Sequence, residues 1–348
     1  MTCILKSFGS PIHYLCCIVL LSTITITNSE AAKIEHATSD NCTVRLDGEI
    51  EKGDAERLQS VLTADENSNY SKLCLNSPGG SYAEALVIIR FLLGSLTTAT
   101  VVDQGSSCYS ACALIFLSGT KQEGEGLTSP LRFLHVGGKL GFHAPFVRGT
   151  SIAPDEKLAQ MAYRAGVQAI GELLETSKDR EAFFPRSLLA AALKMGPEDY
   201  FFIDTVDKLG QWSIHAIGAK PPKRITKQTI EGACVNSEAW DVYFTSAARE
   251  AFSYNEPDKD IVLKKKMYRG VLSGYAGEGT YNCVVDVYES DGFYLDIRFE
   301  DLEEKFGTVD GFASEIEKAK SEPSYIIENI GKPIYYLYPP DTPIDQLR

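Results

Sequence analysis

The sequence predicts an α/β protein with a mostly parallel sheet, followed by a smaller β-rich region at the C-terminal end. Through residues 43–117, short apolar segments alternate with segments whose apolar residues recur at helical spacing. This alternation is typical of βαβ units, which pair their strands in parallel. Beyond residue 226, longer segments alternate apolar and polar residues, which indicates antiparallel hairpins.

Strands and helices follow one another along the first half of the chain. Strands are predicted at 43–50, 73–76 and 99–102. Helices are predicted from Asp54 onward, over 82–93 and over 154–176. Residues 111–117 are continuously apolar, so periodicity does not decide between a buried helix and a strand.

The second half of the chain has a different organisation. Strands are predicted within 268–273 and 281–299, with a turn at 290–292, and Pro221 and Pro222 mark a stiff linker. We therefore predict a signal peptide, an α/β domain, a linker and an acidic β-rich domain of unknown role at 1–32, 33–220, 221–225 and 226–348.

Composition and charge restrict the classes of partner. Hydrophobic residues make up 44% of the chain, which is ordinary for a globular protein. The formal net charge is −13, and residues 226–348 carry most of it. Because nucleic-acid phosphates require a basic surface, we expect no nucleic-acid partner.

The N-terminal residues are typical of a secretory signal peptide. Lys6 precedes an apolar stretch from Tyr14 to Ile26, and cleavage is expected after Ala31 or Ala32. The apolar stretch is shorter than the roughly 20 residues that a membrane span needs. We therefore expect a periplasmic or secreted protein, with anchoring by an uncleaved signal as the alternative.

Removal of the signal leaves an even number of cysteines, which in an exported chain indicates disulfides. These cysteines are Cys42, Cys74, Cys108, Cys112, Cys234 and Cys283. The last two are the pair that lies in the C-terminal region, so we expect them to bond to each other. No cysteine or histidine spacing is typical of a metal site, and we expect no metal.

The other four cysteines are less constrained by the sequence. Cys42 and Cys74 begin neighbouring strands of one βαβ unit, which makes them a second candidate pair. Cys108 and Cys112 are four residues apart and are close in space if helical. They are left as a third pair by elimination, or could pair elsewhere.

Three segments carry the groups that acyl transfer requires: a hydroxyl nucleophile, a base and backbone donors for an oxyanion. The first is the glycine turn at 77–81, the second is Ser110 before the apolar segment, and the third is His143 at a predicted strand end. Each fits an ordinary role by itself, as a turn, a helix cap or a packed imidazole. Their order and combination along the chain favour a catalytic role for the three segments.

In this order the segments resemble the Clp protease proteolytic-subunit family of the crotonase superfamily, in particular its exported members. That family has a strand ending in an SPGG turn, a serine before a buried helix, a strand ending in His-x-Pro, and then an acid. The chain has NSPGGS at 76–81, Ser110 before ACALIFLSG, and RFLHVGGKLGFHAP at 132–145. The resemblance covers residues 43–212 and implies the βαβ superhelix of the Clp protease/crotonase fold.

The resemblance implies an exported serine hydrolase, and more specifically a peptidase that acts on peptides or proteins. Ser110 would be the nucleophile and His143 its base. The amides of Gly80 and Ala111 would form the oxyanion hole. No cofactor and no ATPase partner are implied, and because members of the superfamily form symmetric oligomers, we expect a homo-oligomer.

The resemblance also implies an acid just before an apolar pair and a short helix. Asp199 fits this frame, with Asp204 as the helix cap and Gly210 at the helix end. Glu198 and Asp179 remain as alternatives. Lys139 is an alternative base, as in a serine–lysine dyad, although His143 makes it unnecessary. A different class of function is a catalytically silent scaffold or peptide-binding protein of the cell envelope.

Overall fold

The structure is a computed structural model, and it describes residues 31–39, 41–63, 71–95, 97–122, 127–146, 156–178, 180, 182–196, 198–240, 261–264, 267–276, 279–289, 293–301 and 332–348. The charged and apolar regions of the predicted signal peptide, Asp179 and the predicted turn at 290–292 lie outside these residues. Within the described part of the chain, no helix has both the length and the apolar character that crossing a membrane requires.

A six-stranded sheet lies at the centre of the fold. In sheet order its strands are β1 (Lys33–Ser39), β2 (Cys42–Asp47), β3 (Ser71–Asn76), β4 (Thr98–Val102), β8 (Arg132–His135) and β11 (His215–Ile217). β1 runs antiparallel to β2, and every other pair of neighbours is parallel. All residues of β4 are buried, as is typical of a parallel strand covered on both faces. The predicted α/β class with a parallel core is confirmed.

Three smaller sheets accompany the central one. A three-stranded sheet contains β5 (Ser107–Tyr109), β9 (Lys139–Phe142) and β10 (Phe201–Phe202), and an antiparallel pair contains β6 (Thr120–Gln122) and β7 (Thr128–Pro130). An antiparallel meander contains β12 (Ile261–Lys264), β13 (Met267–Ala276), β14 (Gly279–Glu289) and β15 (Phe293–Asp301). The meander confirms the predicted β-rich character of the C-terminal region.

Seven α-helices occur in the described residues. They are α1 (Asp54–Thr63), α2 (Tyr82–Ser95), α3 (Ala111–Leu117), α4 (Glu156–Thr176), α5 (Arg186–Ala192), α6 (Val206–Gln211) and α7 (Lys227–Trp240). The ambiguous segment is the helix α3, and every one of its side chains is buried. A helix that is buried on all sides carries no hydrophobic periodicity, which is why the sequence pattern did not identify it.

The predicted boundaries of α6 are wrong by one residue at each end. Thr205, and not Asp204, is the N-cap, and its hydroxyl accepts a hydrogen bond from the Lys208 amide. The Asp204 carboxylate instead pairs with the Lys208 ammonium at 2.6 Å. The helix continues past Gly210 to Gln211. Threonine and aspartate are both N-cap residues, and here the threonine one position later takes that role.

The C-terminal residues 332–348 return to the α/β part of the fold. The Lys220 amide donates to the Leu347 carbonyl at 2.7 Å, and the Ile344 amide donates to the Asp204 carbonyl at 2.9 Å. Ile344 and Leu347 are buried in the same core as β2, β3 and α3. The described chain therefore makes contacts across the predicted linker, and the division into two domains stays a prediction.

Three disulfides occur in the described residues, and they have the three predicted pairings. Cys42–Cys74 links β2 to β3, Cys108–Cys112 links β5 to α3, and Cys234–Cys283 links α7 to β14. Disulfides persist in oxidising compartments, so these bonds fit a location outside the cytoplasm.

Candidate active site

The glycine turn after β3 lies against the segment that carries Ser110. The Ser77 amide donates to the Ser107 carbonyl at 2.7 Å, and the Tyr109 amide donates to the Ser77 carbonyl at 3.1 Å. Gly79 has a φ of 103°, and a Cβ there would overlap the Ser110 side chain and the Tyr109 carbonyl. A glycine is therefore required for this close approach.

Gly80 forms a bridge with the residues that follow β2. The Ile50 amide donates to the Gly79 carbonyl at 2.8 Å, and the Ser81 amide donates to the Ile50 carbonyl at 2.7 Å. These bonds use the groups on either side of Gly80. Among the described residues, the Gly80 amide donates to no backbone carbonyl. An amide that binds an oxyanion must be uncommitted in this way.

Ser110 lies at a sharp turn between β5 and α3. Its φ of 57° and ψ of −124° are rare for a residue with a side chain. The Ser110 amide donates to the Gly141 carbonyl at 3.1 Å, and its hydroxyl makes no capping hydrogen bond to α3. Hydroxyl capping, the ordinary role considered above, is therefore not observed. The nucleophilic serine of α/β-hydrolases likewise occupies a strained strand-to-helix turn.

The disulfide Cys108–Cys112 encloses this turn. It joins the residues two before and two after Ser110, and both cysteines are fully buried. The strained backbone of Ser110 is thus fixed covalently on both sides.

His143 lies just after β9 and is buried, with 8% of its surface exposed. Its Nδ1 lies 2.7 Å from the carbonyl oxygen of Ala144. Because a carbonyl only accepts, the tautomer that makes this hydrogen bond has its proton on Nδ1, and Nε2 is then the acceptor nitrogen. The ring contacts Tyr200 edge-on and Phe146 at centroid distances of 5.1 and 5.2 Å.

Ser110 and His143 line one cavity of about 290 Å³. The other residues that line it are Glu49, Pro78, Gly80, Ser81, Tyr82, Ala111, Pro145, Phe146 and Tyr200. The structure thus brings together the predicted nucleophile, the predicted base and both predicted oxyanion donors. Lys139, the alternative base, is exposed and is not among the lining residues.

Asp199 has a different position from the other predicted site residues. It is exposed, its amide donates to the Gly196 carbonyl at 3.2 Å, and it is not among the residues that line the cavity. The observed acceptor for His143 Nδ1 is the Ala144 carbonyl. Glu198 is also exposed. The assignment of a third catalytic carboxylate stays a prediction.

Sequence patterns did not identify the residues that form the cavity walls, among them Glu49, Tyr82 and Tyr200. Tyr82 directly follows the glycine turn, and its hydroxyl donates to the Ala169 carbonyl at 2.6 Å, which ties α2 to α4. Burial, with a smaller effect of the Glu172 charge, raises the pKa of Tyr82 well above its usual range. The phenol is therefore a fixed, neutral wall of the cavity. In the sequence, the position of Tyr82 directly after the glycine turn was the feature that could have identified it as a cavity residue.

Cys42, Cys74 and Asp103 form a cluster of side chains of metal-binding type in the described residues. The disulfide engages both sulfur atoms, so the oxidised protein offers no thiolate there.

Comparison of the sequence with protein-family models and with curated proteins gives no match. Membership of the Clp protease/crotonase superfamily therefore stays a prediction from the motifs.

Proposed function

We propose that this protein is an exported serine hydrolase of the Clp protease/crotonase type, and that it is a peptidase. The observation that carries the proposal is that Ser110, whose hydroxyl makes no capping hydrogen bond at its strained turn, lines the same cavity as His143. Gly80 and Ala111 line the same cavity, so backbone donors accompany the nucleophile and the base.

The reaction begins when the Ser110 Oγ attacks the carbonyl carbon of the substrate. His143 Nε2 takes the proton from Oγ, and the amides of Gly80 and Ala111 hold the oxyanion that forms. Collapse of this intermediate breaks the bond to the leaving amine, which receives the proton from the imidazolium. Water, deprotonated by His143, then cleaves the acyl-serine, releases the carboxylic acid and restores the Ser110 hydroxyl.

In this scheme the Ala144 carbonyl orients the imidazole. It accepts from Nδ1 at 2.7 Å and so keeps Nε2 unprotonated, ready to take the proton from the Ser110 hydroxyl. A carbonyl stabilises the imidazolium less than a carboxylate does, since it carries no full charge. Asp199 would supply that charge if it replaced the Ala144 carbonyl during the reaction.

The proposal is tested by hydrolysis assays on the exported protein. Activated ester and peptide substrates are compared with the wild type, Ser110→Ala, His143→Ala and the control Ser107→Ala, which removes a hydroxyl from the same strand outside the cavity lining. We expect the first two variants to lose at least about 10³-fold in kcat and the control to keep its rate. Circular dichroism checks that all four are folded. Equal activity in all four proteins would contradict the proposal.

A further inference from the structure

Tyr200 packs against the imidazole of His143 from the neighbouring strand. Phe202 on β10 pairs with Gly141 on β9 in antiparallel register, so the same register places Tyr200 opposite His143. The centroids of the two rings lie 5.1 Å apart, and the ring planes are nearly perpendicular, at 82°. Aromatic rings favour such edge-to-face contacts at centroid distances of about 4.5–7 Å. Tyr200 and the predicted base therefore form a cross-strand pair.

The Tyr200 ring is itself fixed by two other rings of the same small sheet. Its centroid lies 5.1 Å from that of Tyr109 and 5.7 Å from that of Phe202. Gly141 makes room for this cluster, since a Cβ there would lie 3.0 Å from the Phe202 ring and 3.2 Å from the Tyr109 ring. Because Tyr109 directly precedes Ser110, the Tyr200 ring contacts both the end of the nucleophile strand and the base.

The other observed contacts of His143 are local to its own segment. Its Nδ1 bonds to the carbonyl oxygen of Ala144, the next residue, and its ring lies 5.2 Å from that of Phe146, which is 39% exposed. A hydrogen bond within one segment sets the tautomer of the imidazole, but it does not tie the ring to the strand that carries Ser110. Among the described contacts of His143, the Tyr200 ring makes this connection.

We propose that Tyr200 is a positioning residue, whose ring keeps the His143 imidazole within reach of the Ser110 hydroxyl. The inference rests on the hydrolase function proposed above and adds a residue that acts through the base. A displacement of about 1 Å between reacting groups can cost about 10²-fold in rate, so the packing of one ring can have a measurable effect on catalysis.

The test measures the rate at which a fluorophosphonate probe labels Ser110 in the purified, disulfide-bonded protein. Tyr200→Leu removes the ring, and Tyr200→Phe keeps the ring but removes the hydroxyl. Phe201→Leu is the matched control, since Phe201 lies on the same strand and packs on the opposite face, with its ring 5.4 Å from that of Trp212. We expect Tyr200→Leu to lower the labelling rate at least about tenfold, and the other two variants to stay within about threefold of the wild type.

The same substitution in the His143→Ala background separates positioning of the base from a structural role or a contact with the probe. Once the imidazole is gone, Tyr200 has nothing to position, so Tyr200→Leu should leave the residual labelling rate of His143→Ala unchanged within about twofold. NMR signals of the His143 imidazole give a readout that needs no reaction. Tyr200→Leu should broaden or split these signals because the ring adopts further orientations, whereas Phe201→Leu should keep the wild-type signals.

A wild-type labelling rate in Tyr200→Leu, a loss that persists in the His143→Ala background, or wild-type imidazole signals in Tyr200→Leu would overturn the positioning role. An equal loss in Tyr200→Phe would assign the effect to the hydroxyl and would overturn it as well. If wild-type Ser110 reacts with the probe and the Tyr200 results fail, only this inference fails. If wild-type Ser110 takes up no probe, the hydrolase function fails and this inference fails with it.

Discussion

At the scale of single residues, Ser110 and His143 line the same cavity because the strands that precede them are paired. Tyr109 on β5 stands opposite Gly141 on β9, so the next residues of each strand emerge at the same edge of the sheet. The sequence singled out both residues by the order of their motifs, a serine before an apolar segment and a histidine before proline, although β5 itself was not predicted. The acceptor for His143 Nδ1 could not be predicted, since it depends on the backbone direction at Ala144, which no sequence pattern specifies.

Asp199→Asn distinguishes the sequence-based assignment from the observed geometry. A carboxylate that orients the catalytic imidazole is worth up to about 10⁴-fold in kcat. Because Asp199 is exposed and Ala144 already accepts from Nδ1, we predict that Asp199→Asn lowers kcat by less than about tenfold. A loss near 10⁴-fold in steady-state assays, with an unchanged circular dichroism spectrum, would show that Asp199 does reach His143.

Glu238 on α7 makes stability depend on pH. The residue is 4% exposed, its Oε2 has no hydrogen-bond partner in the described structure, and burial raises its pKa from 4.5 to about 7. Between these pH values the folded protein holds a proton that the unfolded chain has released. The free energy of unfolding therefore falls as the pH rises, and the contribution is lost above about pH 7.

Glu238→Gln should remove this contribution. Relative to the wild type, the variant should be more stable at pH 8 than at pH 5, as measured by urea unfolding at both pH values. Glu231→Gln removes a carboxylate from the same helix and should show no such difference. If the free energy of unfolding of Glu238→Gln differed from that of the wild type by the same amount at both pH values, the account of this buried carboxyl group would be contradicted.

At the scale of elements, α3 and the turn before it show where sequence patterns lose information. The α3 side chains are all buried, so helix and strand could not be separated by periodicity. The positive φ of Ser110 is also invisible in the sequence, because serine is not a residue that favours it. The Cys108–Cys112 disulfide brackets this conformation, and the sequence assigned that pair only by elimination.

The three disulfides should therefore differ in their effects on activity and stability. The cysteines of Cys108–Cys112 are 4 residues apart and those of Cys42–Cys74 are 32 apart, so loop closure gives about 2 and about 4 kcal/mol of stability respectively. We predict that Cys108→Ser/Cys112→Ser slows reaction of Ser110 with a serine-reactive probe, although it is the less destabilised variant. Cys42→Ser/Cys74→Ser should lose more stability and keep the probe reaction rate. Probe labelling stopped at a series of times gives the reaction rate, and thermal unfolding gives the stability. If Cys42→Ser/Cys74→Ser slowed labelling and Cys108→Ser/Cys112→Ser did not, a positioning role for Cys108–Cys112 would be contradicted.

At the scale of the whole molecule, the sequence predicted the parallel sheet, the C-terminal hairpins and the disulfide partners. These features depend on local patterns of apolar residues and on the number of cysteines. The packing of residues 332–348 was not predicted, because Ile344 and Leu347 lie in short turns that have no periodicity. Their contacts with Asp204 and Lys220 join segments more than a hundred residues apart, which only the folded chain reveals.

The central claim is that Ser110 is an activated nucleophile, and covalent labelling tests it most directly. The purified protein, with its disulfides formed, is incubated with a fluorophosphonate probe, digested and mapped by mass spectrometry. We predict one adduct on the peptide that contains Ser110, formed at a rate that falls in His143→Ala, and no adduct in Ser110→Ala. An adduct that persists in Ser110→Ala, or a folded wild-type protein that takes up no probe at Ser110, would contradict the claim.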